Sequence, residues 1–236
     1  MKKIIICLLL LTTITSCNKT LDLSTLDIGS EAELYNLESN KNLESNILKG
    51  HYEWKNVNGK NTLVSINNGE EVTNYHEIND VKNQFNYGEI PTDSTWDSKI
   101  VVYKDKIAEV NATFSNENAF KLIETVLKKL GKPAKIVTDI TGFNENMDEK
   151  IYSNFKKAFP LETKLQKDSA SVDKQLTYPR NILWDKQNDI TIIGIYLNND
   201  GTIRLEYKIM SKQAYFEGVL YPPALAENPF YEHLVK

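Results

Sequence analysis

The chain is predicted to fold as α+β, an antiparallel β-sheet of hairpins packed by one main amphipathic helix, about 116–130, and a smaller one, about 148–159. Three observations predict this. After Ser115, the residues Ala119, Leu122, Ile123, Val126, Leu127 and Leu130 recur at helical spacing on one face. Just before it, Ala108, Val110, Ala112 and Phe114 alternate with Ile107, Glu109, Asn111 and Thr113, the period of a half-buried strand. Strand-like and helix-like stretches do not alternate strictly, which favours hairpins over parallel β-α-β winding.

Taken in order, the first residues form a leader. Lys2 and Lys3 are a short basic start, Ile4 to Leu11 is an apolar run, and Thr12 to Ser16 is an approach to Cys17 made mostly of small residues. The apolar run is well short of the ~20 residues that a permanent membrane helix needs. Ile14-Thr15-Ser16-Cys17 resembles the lipobox of bacterial lipoproteins: an aliphatic residue, two small residues, then cysteine. The resemblance implies cleavage between Ser16 and Cys17, with diacylglycerol on the Cys17 thiol and palmitate-type acylation of the new amino terminus. Two or more chains are needed for a stable anchor. It also implies a cell-envelope location, with the outer membrane favoured over the inner because Asn18 is not an acidic retention signal. The expected organisation is a signal peptide at 1–16, a lipidated cysteine with a flexible acidic tether at 17–46, and one α+β domain at 47–236.

The tether reading rests on two self-similar pairs, Thr20-Leu21-Asp22 with Thr25-Leu26-Asp27 and the five residues from Asn36 with those from Asn42. Such polar sequence buries too little apolar surface to offset the entropy of ordering, and as a coil it would reach on the order of 30 Å. Within it, Ser30-Glu31-Ala32-Glu33 fits a capping box for a short helix bearing Leu34 and Leu37. His51 to Val57 and Leu63 to Ile66 flank Asn58-Gly59 and predict a hairpin carrying Trp54. Residues 67–98 read as irregular. Ile100 to Tyr103 is a strand, turning at Lys104-Asp105-Lys106 into the alternating run.

The main helix is capped by Ser115, has Lys128 and Lys129 at its carboxyl end, and stops at Gly131 and Pro133. Ala134 to Ile140 returns as a strand. Asp148 to Phe159 forms the smaller helix, with Ile151, Tyr152, Phe155 and Phe159 inward and Pro160 ending it. A polar crossover leads to Pro179, then a long strand from Asn181 to Leu197, bent near 186–189. Thr202 to Met210 follows after Asn198-Asn199-Asp200-Gly201. The tail around Tyr221-Pro222-Pro223 is aromatic, and Asn228-Pro229 starts a last short helix. The passage Leu127 to Pro133 is similar to the helix-Gly-x-Pro-strand passage of small bacterial envelope lipoproteins. Their two-helix, three-strand order is not matched here, and no function is carried over.

Composition excludes some partners. Formal charge is -4, and losing Lys2 and Lys3 makes the chain more acidic still, which gives no electrostatic reason to bind nucleic acid. Arg180 and Arg204 are the only arginines, so bidentate forks for phosphate or carboxylate are scarce. Cys7 lies in the leader and Cys17 is spoken for by lipid, which leaves no disulfide. His76-Glu77-Ile78-Asn79-Asp80 begins like a zinc-protease motif, but Asp80 stands where the second histidine belongs. His51 and His233 lack ligand spacing. Asn144, Asn146 and Asp148 mimic a calcium loop, yet Glu149 replaces its glycine and Phe155 its final carboxylate.

No catalytic residue, metal ligand or cofactor is therefore nominated, and Cys17 with the Ser16–Cys17 cleavage point is the site that remains. Trp54, Trp96 and Trp184 read chiefly as core or sheet residues, and secondarily as a surface for sugars or a protein. The expectation is a lipid-anchored, non-catalytic binding module for an envelope protein or a cell-wall glycan. The alternatives are an envelope hydrolase with a site assembled from distant acidic residues, or a periplasmic inhibitor or immunity lipoprotein.

Overall fold

The computed structural model describes residues 20–78, 85–96, 98–143, 149–167, 174–198 and 200–220, with backbone alone at 50–54, 57, 60–63 and 65–69. The fold is α+β and mostly antiparallel sheet, as the periodicities predict. β1 (Leu21–Asp22), β2 (Leu43–Val57), β3 (Lys60–Glu77), β4 (Phe85–Tyr87), β5 (Ile90–Pro91), β6 (Lys99–Tyr103) and β7 (Lys106–Ser115) precede α1 (Asn116–Leu130). β8 (Lys135–Phe143), α2 (Glu149–Ala158), β9 (Lys164–Lys167), β10 (Lys174–Asp185), β11 (Asp189–Leu197), β12 (Ile203–Ser211) and α3 (Lys212–Phe216) follow. The main sheet runs β2-β3-β6-β7-β12-β11-β10-β8, with β9 paired to the first half of β10. A small sheet, β1-β4-β5, contains the parallel pair β1–β4.

Local chemistry sets the corners. Asn58 and Gly59 take φ of 53° and 78° between β2 and β3, and Lys104 and Asp105 take 51° and 62° between β6 and β7. Positive φ at both central residues gives turns whose twist matches the flanking strands. α1 lays Ala119, Leu122, Ile123 and Val126 into one core with Val110, Ala112 and Phe114 of β7 and Leu205 and Tyr207 of β12. α2 adds Phe155, whose ring meets Phe120 edge-on at 5.0 Å and lies 5.7 Å from Tyr178. Trp184 is buried, as the core reading predicts, and its indole N–H donates to the Gly131 carbonyl at 2.9 Å.

Several expectations are corrected. The described part of the predicted tether, residues 20–46, is packed and not free: Leu23, Leu26 and Leu37 lie in the main core. The ordering energy comes from a few leucines meeting a core already built by others, which composition alone does not show. The expected helix after Ser30 is a single 3₁₀ turn, Ala32–Tyr35, with Leu34 exposed. Ser115 flanks α1 but makes no capping bond, because its hydroxyl donates to Asp93 instead. Residues 67–98 are not irregular throughout, since β3 continues to Glu77 and β4 and β5 enter the small sheet. The long strand near 181–197 is a hairpin, β10 and β11, and the preceding crossover already joins β10 at Lys174.

A third helix, α3, was not foreseen from the periodicity because five residues are too few to show one. It starts where Ser211 accepts the Ala214 N–H. With Val219 and Leu220 it covers Val72, Val101, Tyr103, Ala108, Ile190 and Met210 on the second face of the sheet. A polar clamp fixes it. Glu217 accepts from Lys104 at 2.8 Å, from Gln213 at 2.8 Å and from the Tyr103 hydroxyl at 2.6 Å.

Candidate functional site

Alternation decides what the second face displays beyond α3. On β12, Ile203, Leu205 and Tyr207 go to the core, so Arg204, Glu206 and Lys208 stand on the other side. On β11 the same logic puts Ile193 and Ile195 inward and Gly194 and Tyr196 outward. Register then aligns neighbours: Tyr196 lies opposite Arg204, and Gly194 lies between Glu206 of β12 and Asn181 of β10. Because Gly194 has no side chain, the Tyr196 ring leans over it, and its hydroxyl donates to Glu206 at 3.1 Å.

The result is a ladder of cations and rings across three strands. The Arg204 guanidinium sits 4.2 Å from the Tyr196 ring centre and 4.2 Å from that of Trp96. On the neighbouring strand Arg180 lies 3.7 Å from the same Tyr196 ring. Both arginines of the chain thus meet one tyrosine. Stacking of guanidinium on an aromatic face is attractive, and it leaves the in-plane N–H groups pointing outward. Arg180 reaches the ring because the β8–β10 register shifts between Pro179 and Asn181, and such a bulge re-aims a side chain. One of its N–H groups donates to the Ile195 carbonyl. Arg204 is held by Glu206 at 3.3 Å, and Trp96 remains 48% exposed at the open end.

Beside the ladder lies a buried carboxylate. Glu109 on β7 is 3% exposed, with Lys99 and Lys208 each 3.7 Å from its Oε1. Two cations compensate the buried charge without a hydrogen bond to that oxygen, which holds the lysines in place over the sheet. Asp93 closes the rim near Trp96. Burial raises its pKa, but donation from Ser115 and Thr95 outweighs this and keeps it below the ordinary value.

A second concavity of about 520 Å³ lies between the 3₁₀ turn and β3–β6, lined by Glu31, Glu33, Glu38, Asp105, Thr73 and Tyr75. Its carboxylates do not converge, and among the described residues no group of His, Cys, Asp or Glu is arranged to hold a metal. The ladder, with one exposed ring and oriented donors, is the better-built surface.

Of the residues singled out in the sequence, Ser16, Cys17 and the whole lipobox lie outside the described residues, as do Asn144, Asn146, Asp148, Tyr221-Pro222-Pro223, Asn228-Pro229 and His233. The side chains of His51 and Trp54 lie outside them too, and His76 is on β3 opposite Lys99 while Asn79 and Asp80 are not described. Tyr196 escaped sequence reasoning. The signal was present in part, since a hairpin closing at Asn198–Gly201 sets Tyr196 against Arg204 by counting outward from the loop. Comparisons with protein-family models, curated proteins and solved structures each gave no match to the chain.

Proposed function

We propose that this chain is a lipid-anchored protein of the cell envelope that binds a glycan, without catalysis, on the open face of its sheet. Cys17 carries the lipid and the outer membrane is the favoured site. The hairpin-built sheet, packed by α1 as its main helix and α2 as the smaller, serves as a rigid platform.

The observation that carries the reading is the ladder Trp96–Arg204–Tyr196–Arg180. An exposed indole with one face against a guanidinium offers its surroundings to the C–H face of a sugar ring, while Glu206, Asn181 and the guanidinium edges supply directional groups for hydroxyls. Arg204, Tyr196 and Arg180 stand on strands, which are rigid carriers, so that part of the ladder is set before a ligand arrives, while Trp96 is brought over it by the loop between β5 and β6.

A glycan array probed with the full chain tests this. Trp96→Ala should lower affinity for the bound glycan about tenfold, a loss of roughly 1.4 kcal/mol, while changing stability by less than about 1 kcal/mol because the ring is half exposed. A turnover reaction abolished by one side-chain change on this face would overturn the non-catalytic reading. Crosslinking in cells to a single protein, with no glycan bound, would replace the glycan by a protein partner.

A further inference from the structure

The ladder also specifies the charge of its ligand, an inference that rests on reading this face as a glycan site. Four of the cations on or beside the face are matched: Arg204 by Glu206, Lys99 and Lys208 by Glu109, and Lys212 by Asp185 at 2.5 Å. Arg180 makes no ion pair among the described residues. Its guanidinium sits over the Tyr196 ring, 3.7 Å from the ring centre, and gives one N–H to Ile195, which leaves most of a planar five-donor fork unassigned among the described residues. A β-bulge aims it there, and among the described residues no carboxylate is paired with it.

We infer that the ligand is an acidic polysaccharide, a chain of carboxylate-bearing sugars lying across β12, β11 and β10, with a sugar ring on Trp96 and a carboxylate in the Arg180 fork. A planar carboxylate matches that fork bidentately, and the stacked tyrosine fixes the fork's plane. Two strand spacings of about 4.8 Å separate β12 from β10, a span suited to two or three sugars in a row. Glu206 and Asp93 flank the path and repel a polymer with charge on every side, so the face selects spaced carboxylates over a dense run of sulfates or phosphates. The chain as a whole is acidic, at -4, so this attraction is local and not a consequence of net charge.

The test compares three probes by titration calorimetry on the full chain in detergent: a galacturonate oligomer, the same oligomer methyl-esterified, and a polyglutamate of equal charge. The acid oligomer should bind about tenfold tighter than the ester, the factor one good charge-assisted pairing supplies. It should also bind more tightly than polyglutamate, and Arg180→Gln should bring acid binding down to the level of the ester. Equal affinity for acid and ester would overturn the carboxylate assignment and leave a neutral glycan site. Equal affinity for polyglutamate would overturn the saccharide. Binding of none of the three would overturn the acidic-polysaccharide assignment, and the glycan array decides separately whether the face binds any sugar. The wild-type comparison decides each outcome even if the Arg180 variant fails to fold.

Discussion

Glu217 shows how one side chain joins two parts of the fold. The hydrogen bond from Lys104, then those from Tyr103 and Gln213, lower its pKa from 4.5 to about 2. Tyr103, pushed up by burial and by its contact with Glu217 to about 12, keeps its proton and donates. A carboxylate with a lowered folded-state pKa adds stability that is complete above its unfolded value and fades as pH falls through the folded one. The Glu217 contribution is therefore present above about 4.5 and lost towards 2. Because the side chain is partly exposed, solvent discounts it to about 1 kcal/mol. Glu217→Gln should cost that amount at neutral pH and nothing near pH 2. Urea melts across this range check it, and a difference that stays constant with pH would refute the assignment.

At the scale of elements, what the sequence makes legible depends on how local the signal is. α1, β6 and β7 announce themselves through period alone, because each contributes many buried residues within a short window. The segment before β2 does not, since Leu23, Leu26 and Leu37 are separated by polar residues and join the core through irregular turns. Its anchoring makes a direct prediction. Leu37→Ala, by emptying a buried site, should destabilise the protein by about 2–5 kcal/mol. It should also expose the segment 20–46 to protease, as limited digestion would show. A loss below about 0.5 kcal/mol would return the segment to the status of a tether. The ladder is harder to read, because it needs a hairpin register, a bulge at Arg180 and the loop that brings Trp96 over Arg204. The first of these follows from counting, and the other two are long-range.

The whole molecule joins a membrane attachment proposed at one end to a rigid sheet. Cys17→Ala should abolish palmitate labelling and release the protein from the outer-membrane fraction, and persistent labelling would show that another residue holds the lipid. Attachment and packing meet closely in the sequence, for Leu21 already pairs with Phe85 in the small sheet. Four residues of chain extend no further than about 14 Å, against the roughly 30 Å of a free tether. With lipid on Cys17, each copy is confined to a thin slab above the bilayer instead of sweeping a hemisphere. Neighbouring copies then share that slab, and a long polymer lying in it is met by several at once. Release requires all of them to let go together, so weak single contacts sum to an avidity about 10²–10⁴ above any one of them. On the proposed reading, the buried leucines near the amino terminus, by shortening the leash, would turn a solitary weak binder into one thread of a surface-wide fastening.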